Sequence, residues 1–414
     1  MTSPQAPTPR TSSAERRSSF EHALREAADV AALSPSSHNC QPWGVAWPTS
    51  RSARQAAAQL VGEALDGTSS GESGTDESAT DEYVILALDR ERRLTSLPAH
   101  AVEMLISCGA YLQILLRSLA LQGWSTDLIR FFDPLSDERT SGIPSAGRPL
   151  GDAWPPLWSP LCAVRLRRTD ESSGRLAELR DTALARRTNR GPYRSEGLDP
   201  SVLAGLCAPS AGAAEGADVT VRHLVTDGER AAFADLVARH GGRDFSHQRA
   251  WRETHSFLRR DEAEAAARGD GFALGQLFGP MSGPRRQLLR AALAPTTMRV
   301  LRHAGYPRLL ARQLALVARP TPAIVAMSLA ETAPGLEATV RGGAHLAEYW
   351  MRATEAGLAL HPVSVVLQHD DVRTELQDRL GLTGRTFFVS RLGRPLTQFP
   401  RSPRRVDARG VRVI

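Results

Sequence analysis

The chain has 414 residues, of which 42% are hydrophobic and 23% are charged. These proportions are typical of a soluble globular protein and exclude a disordered chain. The length is too great for one ordinary domain and predicts two, each large enough to bury its own core. The formal net charge is +6, but every basic side chain other than histidine is arginine. A chain without lysine reflects a compositional bias, so its positive charge alone does not predict binding to nucleic acid.

The four cysteines are far apart in the sequence and form no CxxC pair: they are Cys40, Cys108, Cys162 and Cys207. This spacing argues against a zinc cluster or a disulfide framework and fits a reducing compartment. No apolar run approaches the length of a membrane span, and the N-terminus lacks the features of a secretory signal. We therefore expect a cytoplasmic protein without a bound metal, which binds a small molecule and neither nucleic acid nor a membrane.

The first elements in chain order are a tail, a helix and two strands. Residues 1–17 are rich in Ser, Pro, Thr and Arg, which predicts a disordered tail. Ser18 and Glu21 have the spacing of a capping box, so the first helix is predicted to begin at Ser18 and to end before Pro35. Gly44 to Trp47 and Tyr83 to Leu88 are predicted strands. The Gly/Ser/Asp/Glu-rich stretch 65–82 between them predicts a mobile surface loop.

An internal echo indicates a duplication. Residues 109–112 read Gly-Ala-Tyr-Leu and residues 343–346 read Gly-Ala-His-Leu, and in both cases a glycine follows after ten further residues. Each lies in a predicted helix that comes after an apolar strand, the second of which is residues 323–329. Small residues at such positions allow helices to approach closely. The echo therefore predicts a duplicated α+β unit, as two fused and diverged subunits would give, and not a solenoid, whose repeats are shorter.

The remaining predicted elements lie around and after these repeats. Strands are predicted at 161–166, 219–225, 362–367 and 386–391, and a helix at 371–380. Residues 243–319 are rich in arginine and in helix-forming residues and show no strand pattern, which predicts a helical insertion.

Two local motifs carry candidate chemistry. Residues 34–43 read Ser-Pro-Ser-Ser-His-Asn-Cys-Gln-Pro-Trp, a turn dense in hydroxyl and amide groups that can offer donors and acceptors to a planar ligand. Its composition alone favours an ordinary polar loop. Residues 186–190 read Arg-Arg-Thr-Asn-Arg, and such a run can bind a phosphate dianion through charge-assisted hydrogen bonds. Its alternative is a solvated basic helix end.

Both motifs resemble those of the FMN-dependent nitroreductase superfamily. Residues 35–43 resemble its P-S-x-x-N-x-Q-P-W loop, which in that family contacts the flavin ring and ribityl chain, largely from the partner subunit. Residues 186–190 resemble its R-R-S-x-R run, which holds the FMN phosphate and ribityl hydroxyls. Thr188 replaces the serine and keeps the hydroxyl group. In ordinary nitroreductases the arginine run precedes the loop within one subunit, whereas here the loop comes first and the run lies in the second half.

A complete site therefore requires both halves, an arrangement that resembles the Acg-type single-chain proteins of this superfamily. The resemblance implies an α+β fold in which two nitroreductase-like halves are fused as a pseudo-dimer. We expect each half to be a mainly antiparallel sheet with packed helices, the first over residues 18–170 and the second over 171–414. It also implies a single retained flavin site and a pseudo-dimeric monomer or weak homodimer.

The resemblance gives a set of expected cofactor-binding residues: Pro35, Ser36, Ser37, Asn39, Gln41, Arg186, Arg187, Thr188, Asn189, Arg190, Pro362 and Arg404. His38 is a possible catalytic residue, although a histidine satisfied by its own loop is the simpler interpretation. The implied activity is an oxidoreductase that moves electrons from NAD(P)H through FMN to a nitroaromatic, quinone or specialised metabolite. Two alternatives stay open, a flavin-sequestering protein with residues 243–319 as a lid, and a flavin-dependent oxidase or dehydrogenase of a biosynthetic pathway. A weaker hypothesis makes the same insertion a membrane or nucleic-acid surface.

Overall fold

The computed structural model describes residues 13–62, 81–132, 150–169, 174–208, 219–405 and 411–414. The elements of the first half are α1 (Ser13–Ala31), β1 (Trp43–Trp47), α2 (Arg51–Val61), β2 (Glu82–Asp89), α3 (His100–Ala120), β3 (Trp124–Phe131) and β4 (Trp158–Arg168). The later elements are α4 (Leu176–Ala185), α5 (Pro200–Leu206), β5 (Val219–Leu224), α6 (Asp227–Ser246), α7 (Gln248–Ser256), α8 (Glu262–Arg268), α9 (Leu274–Phe278), α10 (Gly283–Leu293), α11 (Pro295–Leu301), α12 (Tyr306–Ala318), β6 (Ala323–Leu329), α13 (Leu336–Glu355), β7 (Ala359–Pro362), α14 (Asp370–Leu380), β8 (Arg385–Gly393) and β9 (Val411–Val413).

The strands form two sheets, which confirms the predicted fold class of two α+β halves in one chain. The first sheet has the order β3-β4-β2-β1-β9 and the second the order β5-β6-β8-β7. All strand pairs are antiparallel except β1 with β9, which run parallel with Val45 opposite Val411. The strands with continuous apolar runs, β2 and β6, lie inside their sheets and are buried, as their sequences predict.

The two echoed helices, α3 and α13, pack against each other between the halves. A Cβ atom at Gly109 would overlap the carbonyl oxygen of Val340, and one at Gly343 would overlap that of Ile106. Only glycine permits backbones to approach so closely. The echo in the sequence therefore marks the contact between the two halves.

Segments at the two ends of the predicted second half pack with the first half. Strand β9, at the end of the chain, completes the sheet of the first half. Leu179 and Ala183 of α4 pack into the core of the first half, together with Tyr111 and Trp124. Both ends of the range 171–414 therefore contact the first half, and the boundary between the halves at residue 170 stays a prediction.

Three predicted element bounds also differ. Helix α1 begins at Ser13 and not at Ser18, because Ala14, Glu15 and the two arginines that follow are good helix formers that extend it. The predicted strand 362–367 ends at Pro362, and Ser364–Val366 form a 3-10 turn. The valines of this stretch pack into the hydrophobic core that also contains Ile324 and Val389 of the second sheet. Most of the predicted loop 65–82 lies outside the described residues, and Glu82 already belongs to β2.

Residues Asp227 to Ala318 are helical with connecting turns, which agrees with the predicted helical insertion. The insertion begins with α6, whose N-terminus carries a capping box between Thr226 and Glu229. In the described part of the chain, one helix is long and apolar enough to cross a membrane. It is α3, and 78% of its apolar window is buried inside the protein, so it serves as a core helix.

Candidate functional site

A cavity of about 270 Å³ lies between the two halves. Its walls come from the loop after α1, from helices α3 and α13, from the arginine run after α4, from the turn after β7, from β8, and from the segment that follows β8. The loop and the arginine run are about 150 residues apart in the chain, yet both line this one space. The prediction that a complete site requires both halves agrees with this geometry.

The loop after α1 is held in an unusual backbone conformation. His38, Asn39 and Gln41 have φ angles of 51°, 53° and 52°, in the left-handed region that non-glycine residues rarely adopt. Such strain persists only where surrounding contacts fix it. Here Asn39 Nδ2 donates to the carbonyl oxygens of Gly271, at 2.9 Å, and Pro403, at 3.0 Å. The loop is thus fixed by segments from the distant second half.

A half-buried carboxylate, that of Glu103, supports the same loop through hydrogen bonds. The Ser37 hydroxyl donates to Glu103 Oε2 at 2.5 Å, and Gln368 Nε2 donates to Glu103 Oε1 at 2.6 Å. The Ser37 backbone N–H donates to the hydroxyl of Ser107, one turn further along α3, at 3.2 Å. Glu103 and Ser107 both line the cavity. Glu103 therefore connects the loop of one half to Gln368 of the other.

His38 continues this hydrogen-bonded chain toward the insertion. Its Nδ1 lies 3.1 Å from Ser37 Oγ and its Nε2 lies 3.1 Å from Thr254 Oγ1. Because the Ser37 hydroxyl donates its proton to Glu103, its oxygen accepts from Nδ1–H, and His38 Nε2 accepts from Thr254. Burial, reinforced by the nearby His100, lowers the pKa of His38 to about 4. His38 is therefore a neutral member of the wall at neutral pH.

Five arginines gather at the other end of the cavity: Arg186, Arg187, Arg190, Arg401 and Arg404. Within the described residues, none of them forms a salt bridge with a carboxylate. Their hydrogen bonds are mostly with backbone carbonyl oxygens, such as those of Arg186 and Arg404 with Leu33. Burial lowers the pKa of Arg190 and Arg404 to about 10, and that of Arg186 well below its usual value. For Arg186 and Arg404 the neighbouring arginines lower the pKa further.

The arginine cluster has the features of a binding site for an anionic group. The Nε atoms of Arg186 and Arg404 are buried and have no hydrogen-bond partner among the residues that the structure describes. Buried donors are almost always paired, and clustered like charges are costly without a counter-charge. A phosphate dianion supplies both the acceptors and the charge. The arginine end of the cavity therefore fits the phosphate of a nucleotide.

The middle of the cavity is apolar and aromatic. Its lining includes Ile106, Ala110, Phe272, Leu346, Trp350, Leu367, Phe387 and Phe388. The Arg186 guanidinium lies over the Trp350 ring, 4.9 Å from its centre. A slot of this kind between a cationic end and a polar loop suits a flat aromatic ring system that carries a phosphorylated chain.

Most of the residues predicted from the sequence line the cavity: Pro35, Ser36, Ser37, His38, Asn39, Arg186, Arg187, Thr188, Arg190, Pro362 and Arg404. Gln41 and Asn189 do not. Gln41 Nε2 donates to the Gly269 carbonyl oxygen at 2.8 Å. Asn189 Nδ2 donates to the Thr397 carbonyl oxygen at 2.6 Å, and its Oδ1 accepts from the Gly191 N–H at 2.9 Å. Both side-chain amides form hydrogen bonds with the protein's own backbone. They therefore stabilise the segments behind the cavity wall and do not face the cavity.

Several lining residues were not predicted: Glu103, Ser107, Phe272, Ser364, Arg401 and Ser402. Glu103 could have been selected from the sequence as a candidate, because it is the one acidic residue in helix α3, which is mostly apolar. Arg401 lies three residues before the predicted Arg404 and belongs to the same basic segment. Phe272 lies in the helical insertion, and its sequence neighbourhood gave no indication that it would return to the loop.

The described residues include no group of three or more His, Cys, Asp or Glu side chains placed to hold a metal ion. All four cysteines lie in the described part and are free. Cys40, in the loop, is buried, and this burial raises the pKa of its thiol well above the usual range. It is therefore a packing residue, in a small core cluster with Leu94 and Met104, and not a reactive thiolate.

No protein-family model matches the chain. A full-length relative is the probable NAD(P)H nitroreductase PigM of a Serratia species, which is 29% identical over 386 residues, 93% of this chain and 92% of PigM. The solved structure of a putative nitroreductase from Anabaena variabilis overlaps 94% of this chain and 90% of its own, at 11% identity and a TM-score of 0.47. The FMN-dependent nitroreductase NfnB of Mycobacterium smegmatis, solved with NADPH, overlaps 55% of this chain and 93% of its own, at 15% identity and a TM-score of 0.32. With the loop and the arginine run in place, the similarity to PigM extends along nearly the whole of both sequences, which supports the predicted resemblance to the nitroreductase-like superfamily.

Proposed function

We propose that the protein is an FMN-dependent oxidoreductase that takes electrons from NAD(P)H and passes them to a small organic acceptor. One observation carries the proposal: a single cavity between the halves joins an arginine cluster, which has no carboxylate partner among the described residues, to an aromatic slot and a rigid polar loop. The likeness to PigM, which is named a probable NAD(P)H nitroreductase, supports the same activity. The acceptor we expect is a nitroaromatic, a quinone or a specialised metabolite.

Different residues of the cavity are suited to different parts of the FMN molecule. Arg186, Arg187, Arg190, Arg401 and Arg404 are suited to hold the phosphate. Thr188 offers a hydroxyl group beside them for the sugar-like chain. The Ser36–Asn39 loop and Pro362 border the apolar slot that suits the ring system. When bound, FMN supplies the hydride and electron transfer, which no side chain of the protein can perform.

The chain's own residues then set the environment of the reaction. The loop is rigid because Ser37 is tied to Glu103 and Asn39 is tied to Gly271 and Pro403. Phe272, from the insertion, adds an apolar aromatic ring to the lining of the slot. His38 is neutral near pH 7 and its two nitrogens are engaged, so it positions the loop and does not supply a proton.

The experiment that tests the proposal is anaerobic reduction of the FMN-loaded protein. We expect the visible flavin absorbance to bleach when NADPH or NADH is added, and to return when a nitroaromatic or quinone acceptor follows. Bleaching by dithionite but by neither nicotinamide would overturn the proposed electron donor. A purified protein that has no flavin absorbance and binds no added FMN would overturn the proposal as a whole.

One structural feature favours a second function, the storage or sequestration of flavin with little turnover. The insertion contributes Phe272 to the cavity wall, and its Thr254 is hydrogen-bonded to His38, so it partly covers the loop. A cover of this kind slows the exchange of ligands if it opens rarely. Bleaching over many minutes, without acceleration at higher NADPH concentration, would favour storage over turnover. For the assembly we propose a pseudo-dimeric monomer in the cytoplasm, since the two halves already supply both sides of the site.

A further inference from the structure

We propose that the outer face of helices α10, α11 and α12 binds an anionic lipid surface. This face belongs to the insertion, and none of its three helices contributes a residue to the cavity wall. The proposal goes beyond the redox activity and does not depend on it. It rests on charge, on exposed apolar side chains and on helix geometry.

The part of the chain that contains these three helices carries positive charges and no negative ones. Residues 271–330 contain no aspartate or glutamate, although the chain as a whole has 45 acidic residues in 414, so a stretch of 60 would on average carry six or seven. The same stretch contains eight arginines: Arg285, Arg286, Arg290, Arg299, Arg302, Arg308, Arg312 and Arg319. A bias toward arginine explains why lysine is missing, but it does not explain why acidic residues are.

Few of these arginines have a counter-charge elsewhere in the protein. In the described part of the chain, only Arg286, with Glu262, and Arg319, with Asp235, form an ion pair with a carboxylate. The other six arginines are all exposed on the surface. The face therefore presents a net positive field to whatever approaches it.

Large apolar side chains are exposed among these charges. Leu288 is 69% exposed, Val300 68%, Leu316 64% and Leu309 49%. They are four of the ten large hydrophobic residues exposed on the described surface, and they come from three successive helices. Scattered exposed leucines are ordinary, but leucines grouped within an acid-free basic segment indicate a binding surface.

Helix α12 shows how the two kinds of side chain are arranged. Arg308 and Arg312 are four residues apart and so lie on one side of the helix, while Leu309 and Leu316 are seven apart and lie together beside them. All four are exposed, whereas Pro307, Ala311, Ala315 and Ala318 on the opposite side are buried against the protein. An apolar strip beside a basic edge is the pattern of a helix that lies in the headgroup region of a membrane.

This pattern favours lipid over nucleic acid as the partner. Arginine binds phosphate in either case, but exposed leucine and valine gain nothing from a solvated duplex and gain much from the acyl boundary of a bilayer. A bilayer of anionic lipid satisfies both the charges and the apolar side chains. For an enzyme with an apolar slot, this placement would bring it to the phase in which apolar acceptors dissolve.

The test is sedimentation of the full-length protein with vesicles of phosphatidylcholine, or of an equimolar mixture with phosphatidylglycerol. We expect binding to the anionic vesicles only. The double variant Leu309→Ser and Leu316→Ser should bind about tenfold more weakly. Arg308→Gln with Arg312→Gln should weaken binding by a similar factor and reduce its dependence on salt.

The matched controls are the same kinds of substitution made elsewhere on the surface. Leu396→Ser removes another exposed leucine, and Arg17→Gln with Arg25→Gln removes two exposed charges from α1, and these should leave binding unchanged. The flavin spectrum of every variant reports that the fold and the cavity are intact. Absence of binding to anionic vesicles would overturn the proposal. So would duplex DNA binding that competes with the vesicles and is unaffected by the leucine substitutions, because the face would then be a nucleic-acid surface.

Discussion

Gly109 and Gly343, the equivalent residues of the two repeats, lie against each other where α3 crosses α13. A Cβ atom at Gly109 would lie 3.1 Å from the Cα atom of Gly343 while overlapping the carbonyl oxygen of Val340. Next to this crossing, Ile106, Ser107 and Ala110 of α3 and Leu346 and Trp350 of α13 line the cavity. The contact between the two halves therefore also sets the width of the site.

The first prediction concerns this crossing. Gly109→Ala or Gly343→Ala should lower the free energy of unfolding by about 3 kcal/mol, because the added methyl group meets backbone atoms that cannot rotate away. Gly342→Ala is the matched control, since its Cβ would meet only side-chain atoms, at 3.1 Å or more. Urea unfolding followed by circular dichroism measures the difference. Equal effects at positions 342 and 343 would contradict the described packing.

The second prediction concerns the phosphate. Arg187→Gln should weaken FMN binding by about tenfold or more, because a charge-assisted contact to a dianion is lost. The same variant should bind riboflavin, which lacks the phosphate, as tightly as the unmodified protein does. Quenching of flavin fluorescence gives both dissociation constants. A parallel loss of affinity for riboflavin would place Arg187 at the ring and not at the phosphate.

The third prediction concerns Glu103, whose substitution should weaken the binding of FMN and of riboflavin equally. Glu103→Gln replaces an acceptor of two hydrogen bonds, from Ser37 and Gln368, by an amide that faces one of these donors with its own N–H groups. The mismatch should lower stability by about 1–3 kcal/mol and loosen the loop. Affinity for FMN and for riboflavin should then fall by the same factor. Glu337→Gln, at an exposed glutamate of α13, is the control, and a loss confined to FMN would argue against this role.

The fourth prediction follows from the lowered pKa of His38. The unfolded chain takes up a proton at this histidine near its ordinary pKa of 6.5, whereas the folded protein resists protonation until about pH 4. Stability from this residue is therefore complete above pH 6.5 and is lost as the pH falls toward 4, by about 2 kcal/mol since the side chain keeps some contact with solvent in the cavity.

His38→Asn isolates this contribution, because asparagine tolerates the left-handed backbone and does not titrate in that range. Unfolding experiments between pH 7 and pH 4 should give a shallower loss of stability for the variant than for the unmodified protein. Identical pH profiles would mean that His38 is not shielded from protonation in the folded state.

The sequence was enough to predict the two halves and the two motifs that meet in the cavity, because both depend on local patterns that fusion of two subunits leaves intact. It was not enough to predict where individual side chains point. Gln41 and Asn189 match the motifs by position, but a left-handed turn at Gln41 and a backbone contact at Asn189 direct their amides away from the cavity. A residue's neighbours in sequence do not determine these directions.

Long-range connections were the other part that local patterns could not supply. Strand β9 is three residues long and pairs with β1, more than 360 positions earlier in the chain. Phe272 reaches the loop only because the insertion folds back over the first half. Glu103 is a charged residue in the sequence, and its place in the cavity wall depends on hydrogen bonds from Ser37 and Gln368, which are far from it in the chain.

The most direct test of the account is the number of FMN molecules bound per chain. Titration of the apoprotein with FMN, followed by absorbance and by the mass of the native complex, should give one FMN per 44.8 kDa chain. Arg187→Gln should raise the dissociation constant of this one site without creating another. Binding of two FMN molecules per chain, or of one FMN per two chains, would contradict a single site built from both halves of one chain.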